Sequence, residues 1–170
     1  MDKRERKGDF CIPWKVRPRF VCDVHLAKVA LSLRLLGFDT VWRNDIGDDE
    51  IVGICRFGRI GLTCDRALQA RLPERIILFS CEASQRQVRR LALLMDLRRY
   101  AHPFHRSLCC NRAMVPCDKR MHRNEIPKET YRWLEGFWQC SKCGKIYWQG
   151  THAMHMRQNI LKWLGYQKTC

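Results

Sequence analysis

The sequence predicts an α/β domain with a parallel sheet flanked by helices, followed by a small zinc-ribbon-like subdomain. Three observations carry that class. From Phe20 to Tyr100, short apolar runs alternate with segments of helical period. Two of those runs end on an aspartate, at the carboxyl strand ends where parallel sheets build their sites. Near His102–Pro103 the alternation stops, and cysteine, glycine and aromatic residues rise.

The elements follow in order. Residues 1–19 are basic, contain Pro13 and Pro18, and read as a loose arm. FVCDV is a short apolar strand reaching Asp23. HLAKVALSLRLLG sets Leu26, Val29, Ala30, Leu33 and Leu36 on one helical face and stops at Gly37. FDTVW alternates as a strand. RNDIGDD is an acid-laden turn, from which Asp48 or Asp49 can cap the helix EIVGICRFG. RIGLTCD is a strand ending at Asp65, RALQARL a short helix and RIILFS a further strand. SQRQVRRLALLMDL is a longer helix with Ser84 as its N-cap. This domain spans 20–101, and the cysteine-rich subdomain 102–156. The end, MHMRQNILKWLGYQKTC, gives a tail or short amphipathic helix, assigned to 157–170.

The chain has 170 residues, of which 46% are hydrophobic, enough for a real core. No run approaches the ~18 apolar residues of a membrane span, so a bilayer role is excluded, as are collagen-like and disordered classes. Lys and Arg number 32 against 17 Asp and Glu, a net charge of +15 spread along the whole chain. That is the footprint of a polyanion binder, and nucleic acid is the expected partner. Eleven cysteines, an odd count, and a charged start (MDKRERKGDF) without an apolar stretch point to a reducing cytoplasm, with thiols free or on metal.

Asp23 and Asp65 end two strands, and Asp45, Asp48, Asp49 and Glu50 lie between them. The topology brings them to one rim of the sheet. Carboxylates converging without Lys or Arg partners repel, and a hard divalent cation such as Mg²⁺ or Mn²⁺ relieves that. Such ions activate water and steady the leaving oxygen of a phosphodiester. The alternative for any one of these acids is a simple helix cap. Cys140-Ser-Lys-Cys143-Gly is a knuckle, half of a structural zinc site. A redox pair has the same spacing, but it sits between strand and helix, whereas a strand-like Lys-Ile-Tyr-Trp follows here.

FVCDVHLAKVALSLRLLGFDTVW, then DIGDDEIVGICRFGRIGLTCDRAL, then the late Cys-x-x-Cys with GKIYWQGTH, resemble the Mut-seven C-terminal RNase domain family over about residues 20–156. The resemblance implies a PIN-like nuclease fold with an appended zinc ribbon, hydrolysing single-stranded RNA with Mg²⁺ or Mn²⁺. By position it implies Asp23, Asp48, Asp49 and Asp65 as catalytic carboxylates, with Asp45 and Glu50 as further candidate metal ligands; which of Asp48, Asp49 and Glu50 reaches the metal is left open by the sequence. Cys64 stands where the family carries Arg; Arg66 remains to contact phosphate. The family's second Cys-x-x-Cys falls on Ser107-Leu108-Cys109-Cys110, with Ser107 at the first Cys position and Cys110 at the second. Cys109, Cys117 or His105 can complete the site with Cys140 and Cys143, or the site is lost. His152 matches a family His in the segment after the ribbon.

Trp133, Phe137, Trp138, Tyr147 and Trp148 crowd the ribbon among Lys128, Arg132, Lys142 and Lys145. Aromatics stack on unpaired bases while cations hold phosphate; the alternative is that they are the ribbon's own core. The expected RNA contacts are Arg66, Lys142, Lys145, Trp148 and His152. Arg86, Arg89 and Arg90 form a solvated helix face or track a backbone. Cys22, Cys55 and Cys81 read as small core residues. The leading expectation is a metal-dependent ribonuclease. The alternative is a non-catalytic RNA-binding ribbon protein with a degraded pocket, and a redox switch at Cys140 and Cys143 is the third. Oligomeric state is left open.

Overall fold

The computed structural model describes residues 16–165; Cys11, Cys170 and most of the basic arm lie outside them. Strands β1 (Phe20–Cys22), β2 (Thr40–Val41), β3 (Ile60–Thr63) and β4 (Ile76–Leu78) form a parallel sheet in the order β2-β1-β3-β4. Phe20 sits opposite both Thr40 and Ile60, and Leu62 opposite Ile77. Helices α1 (Ala27–Leu35), α2 (Asp48–Arg56), α3 (Arg66–Ala70) and α4 (Ser84–Leu94) follow the strands in turn. The α/β class with a parallel sheet is borne out.

Side chains alternate along a strand, so one strand feeds two cores. Phe20 and Cys22 pack with Val29 and Leu33 of α1 and Val88 and Leu91 of α4. Val21 points the other way, to Ile51, Val52 and Cys55 of α2 and Leu68 of α3. The helices therefore cover both faces, which is why these strands read as unbroken apolar runs. Leu33 is fully buried, and truncating it to Ala costs about 2–5 kcal/mol. Gly37 ends α1's apolar face at φ +90°, where a side chain would collide with the carbonyl of His102.

The second sheet is antiparallel, β5 (Met114–Pro116), β6 (Phe137–Cys140) and β7 (Ile146–Trp148), with α5 (Lys128–Trp133) between the first two. Helix α6 begins already at Thr151 and runs to Trp163, and Ile160, Trp163 and Leu164 return to the larger core. No helix among the described residues is long and apolar enough to cross a membrane.

A buried polar latch ties ribbon to sheet. Arg34, on α1, donates to the carbonyls of Thr40 (3.0 Å), Leu108 (2.8 Å), Trp42 (3.4 Å) and Cys109 (3.5 Å). The N–H of the edge residue Thr40 donates to Asn111 Oδ1, and Asn111 Nδ2 donates to Asp39. Asp39 also takes a bidentate pair from Arg59 at 2.8 and 2.9 Å. Burial pushes the Asp39 carboxyl up, but hydrogen bonds from Arg59 and Asn111 and the charges of Arg59 and Arg106 bring it below its ordinary value.

Local details depart from the sequence expectation. Ala83, not Ser84, is the N-cap of α4, and no side chain caps it. Gly47 precedes α2, so Asp48, Asp49 and Glu50 occupy its first turn and favour it through the helix dipole rather than by a cap bond. Cys22 and Cys55 are core residues as expected, but Cys81 is exposed in the turn after β4. Arg86, Arg89 and Arg90 are all exposed on α4.

Candidate metal centres

In a parallel sheet of order 2-1-3-4, the connections after β1 and β3 leave toward opposite faces. The crevice beyond those two strands is the switch point where such folds bind ligands. Asp23 and Asp65 stand there, immediately beyond β1 and one residue past Cys64 after β3. Thr63 joins them: its hydroxyl donates to Asp23 Oδ2 at 2.7 Å and accepts from the Asp65 N–H at 2.9 Å. Asp65 also caps α3, accepting from Ala67 N–H at 2.7 Å. Asp23 caps nothing, although it precedes a helical turn at Val24–Leu26. Its side chain is buried with a single hydrogen bond among the described residues. A buried carboxylate so lightly held is the strongest sign of a ligand-binding role at this rim.

The acids of the neighbouring connection are arranged differently. Arg43 pairs with Asp45 at 3.1 Å and Glu50 at 2.6 Å, and Arg71 pairs with Asp49. This corrects the expectation of a cluster without cationic partners. Exposed aspartates in a chain of +15 collect guanidinium groups, and that relieves their repulsion without a metal. Asp48 is exposed, and none of Asp23, Asp48 and Asp65 has an ion pair among the described residues. These carboxylates form no cluster of three or more of the kind that could hold a metal ion as they stand. Asp23, Asp48 and Asp65 nevertheless fit a hard cation by donor chemistry: Asp23 Oδ1 and Asp65 Oδ2 have no hydrogen bond among the described residues, and all are oxygen ligands.

The cysteines have already gathered. The sulfurs of Cys109, Cys110, Cys140 and Cys143 lie within 4.8 Å of one another, and Cys109 and Cys143 are 3.5 Å apart. Two knuckles of like backbone supply them. Gly144 N–H donates to Cys140 O and Cys140 N–H to Lys145 O. In the other knuckle, Asn111 N–H donates to Ser107 O and Ser107 N–H to Arg112 O. Gly144 (φ +73°) and Asn111 (φ +55°) hold the same left-handed turn. Ser107 thus occupies the place that Cys140 fills in the other knuckle, and Cys109 supplies the missing sulfur from two residues further on. Cys117 and His105 stay outside the cluster.

Ser107 keeps a part. Its fully buried hydroxyl is 3.2 Å from Cys140 Sγ. Burial pushes the Cys140 thiol up, but Ser107 and the N–H groups of Cys143 and Lys142 outweigh it and bring the thiol to about 6. Tyr147 donates to Cys109 Sγ at 3.2 Å. Burial opposes ionisation of Cys109, while contacts from Tyr147 and Cys143 favour it and prevail. Four sulfurs on two knuckles suit a tetrahedral metal such as zinc, and fit it better than a simple Cys140–Cys143 redox pair.

Of the expected RNA contacts, Arg66 is exposed beside Asp65. Lys142 and Lys145 are exposed on the second knuckle. Trp148 is half-buried, packed on Phe137 with ring centroids 6.3 Å apart, so it is partly core. His152 is exposed in the first turn of α6. The sequence reading missed Thr63, Arg34, Asp39 and Asn111. Only Arg34 carried a signal, a lone charge inside the apolar run LSLRLL.

No curated protein and no solved structure matches the chain. A family model described as the Mut7-C RNAse domain matches residues 18–160. That span takes in the switch-point acids and both cysteine knuckles, and it implies a nuclease-like role with RNA as substrate; the chain belongs to the Mut7-C RNAse domain family.

Proposed function

We propose that the protein is a metal-dependent ribonuclease acting on single-stranded RNA in the cytoplasm. Residues 20–101 are its PIN-like catalytic unit and residues 102–156 its zinc ribbon. The observation that carries this is Asp23, a buried carboxylate at the β1/β3 switch point held by one hydroxyl and no cation. Asp23, Asp48 and Asp65 hold Mg²⁺ or Mn²⁺, with Asp49 joining when Arg71 releases it and Asp45 and Glu50 when Arg43 does. The ion supplies water activation and charge stabilisation at the phosphodiester. Thr63 orients Asp23 and ties it to Asp65. Arg66 offers phosphate a positive charge at the rim. In the ribbon Cys109, Cys110, Cys140 and Cys143 hold zinc, which is structural. Lys142, Lys145, Trp148 and His152 contact RNA.

The test is cleavage of an unstructured RNA with Mn²⁺. Wild type should cleave, and Asp23→Asn, which keeps an acceptor for Thr63, should lose roughly a thousandfold in rate while keeping its fold and RNA affinity. Absence of cleavage by wild type across such substrates overturns the enzyme reading. The guanidinium partners of Asp45, Asp49 and Glu50 favour a second reading, an RNA-binding protein whose pocket no longer recruits metal. It predicts equal, metal-independent behaviour of wild type and Asp23→Asn.

A further inference from the structure

A cleft of about 710 Å³ opens where the ribbon, the 101–106 segment and the start of α6 meet. Its size suits a small organic ligand. Phe104, Trp138, Tyr147 and Trp148 supply aromatic surface. His102, His105 and His152 add imidazoles, Arg106 and Arg157 add guanidinium groups, and no lining residue is acidic. Arg157 lies over the Phe104 ring at 5.7 Å; Arg106 turns its terminal nitrogens to Asp39 (4.0 Å) and the Asn111 carbonyl, and its buried Nε has no hydrogen-bond partner among the described residues. The first turn of α6, which no side chain caps, faces the same space with Thr151, His152 and Ala153. An aromatic cavity with fixed positive charge and no carboxylate is complementary to a flat, anionic molecule.

Its place in the fold matters as much as its lining. Leu35 lines the cleft, and the 102–104 segment is pinned to the carboxyl end of α1 by His102 N–H to Leu36 O and Phe104 N–H to Leu35 O. Asp23 lies before the other end of that helix. Nine residues of α1 and the helical turn before it separate the two by about 15–20 Å. That is about five nucleotides stacked at ~3.4 Å, fewer if the strand is extended.

Resting on the ribonuclease reading, we propose that this cleft is a remote subsite that holds one unpaired nucleotide of the RNA. The base stacks against the aromatic lining, in which Trp138 and Tyr147 are cross-strand partners and Trp148 is the next residue of the strand, and the phosphate lies against Arg157. It lies several nucleotides from the carboxylates. Dinucleotides then reach only one of the two sites, whereas longer single strands span both. A duplex end is refused because its bases are already stacked and paired.

Binding without turnover tests this. A labelled ~12-nucleotide unstructured RNA is titrated into the zinc-loaded full chain carrying Asp23→Asn, with no Mg²⁺ or Mn²⁺ added. Adding Trp148→Ala should weaken binding about tenfold. Adding Arg157→Gln, at an exposed position of α6, should lower the slope of log affinity against log salt by about 0.7. Metal content checks that the Trp148 variant retains its ribbon; if it does not, Arg157→Gln and His152→Ala carry the test. A dinucleotide, which reaches only one of the two sites, should bind the starting protein more weakly than the ~12-nucleotide strand, and a blunt duplex should not compete. Unchanged affinity and salt slope in Arg157→Gln and His152→Ala, or competition by duplex, overturns the subsite. So does a failure of the RNA to bind at all. The two readings fail separately: cleavage by wild type with unaltered cleft variants removes only the subsite. Weakened binding in cleft variants without cleavage by wild type removes only the nuclease.

Discussion

Four thiols stand together in the ribbon, while the six carboxylates at the rim of the parallel sheet form no such cluster of three or more. The contrast follows from charge. An ordinary thiol is mostly neutral near pH 7, and the Cys140 thiol, brought to about 6, has Ser107 and backbone N–H groups to hold its charge, so two backbone knuckles can bring four sulfurs close at little electrostatic cost. Carboxylates are ionised, and each pair at 4 Å costs about 1–4 kcal/mol in water or near a protein surface. A basic chain offers them another outlet, and Arg43 and Arg71 take three of the six. The sulfur site is therefore assembled before any ion arrives. The oxygen site keeps Asp23, Asp48 and Asp65, and of these only Asp23 is buried, fixed through Thr63.

The largest expected effect lies on the sulfur side. Cys143→Ser should abolish zinc binding by the four-sulfur site proposed for the ribbon, and such binding is worth about 10 kcal/mol or more to folding in comparable knuckles. Native mass spectrometry and the near-ultraviolet circular dichroism of Trp138 and Trp148 read this out. Full metal content in that variant would remove the contrast. Next comes the latch between the two regions. Arg34→Met strips the donor from the carbonyls of Thr40 and Leu108 and should cost about 3 kcal/mol. Calorimetry and faster proteolysis near residues 101–106 check it; an unchanged melting temperature would show that the ribbon docks without Arg34.

Much of the frame was legible. Phe20–Cys22, Ile60–Thr63 and Ile76–Leu78 are apolar runs because both faces of the sheet are covered, and that pattern survives in the sequence. The aspartates after β1 and β3 were visible for the same reason, since a strand end is where polarity returns. The latch was not legible, because Arg34 donates to carbonyls and backbone acceptors carry no residue identity. Nor was the choice of Cys109 over Cys117 or His105. It depends on the turn at Asn111, whose left-handed φ resembles that of Gly144 although the residues differ. The length of α6 was hidden too, because THAMHM shows little period of its own and packing on the cleft and core decides it.

Smaller effects sharpen the comparison on the oxygen side. Asp65→Ala should lose the cap of α3 and about 1 kcal/mol, while Asp65→Asn keeps the cap and stays within about 0.5 kcal/mol of wild type. If both lose cleavage alike, the carboxylate acts through its charge; if Asn retains cleavage, Asp65 is a cap and nothing more. Asp39 gives a pH signature. Its carboxyl is held below the ordinary range in the fold. The stability it contributes is therefore complete above its unfolded value near 3.9 and is lost as pH falls through the lower folded value. Acid unfolding followed at Trp42 should show this dependence, and Asp39→Asn should flatten it.

The switch-point carboxylates are most directly examined by Mn²⁺ titration of the zinc-loaded, isotope-labelled chain, read as paramagnetic broadening of amide resonances. Saturable broadening is expected, centred on residues 22–25, 47–50 and 63–66, absent in Asp23→Asn and with the ribbon signals untouched. Broadening that ignores Asp23, or none at millimolar Mn²⁺, would contradict a metal site there.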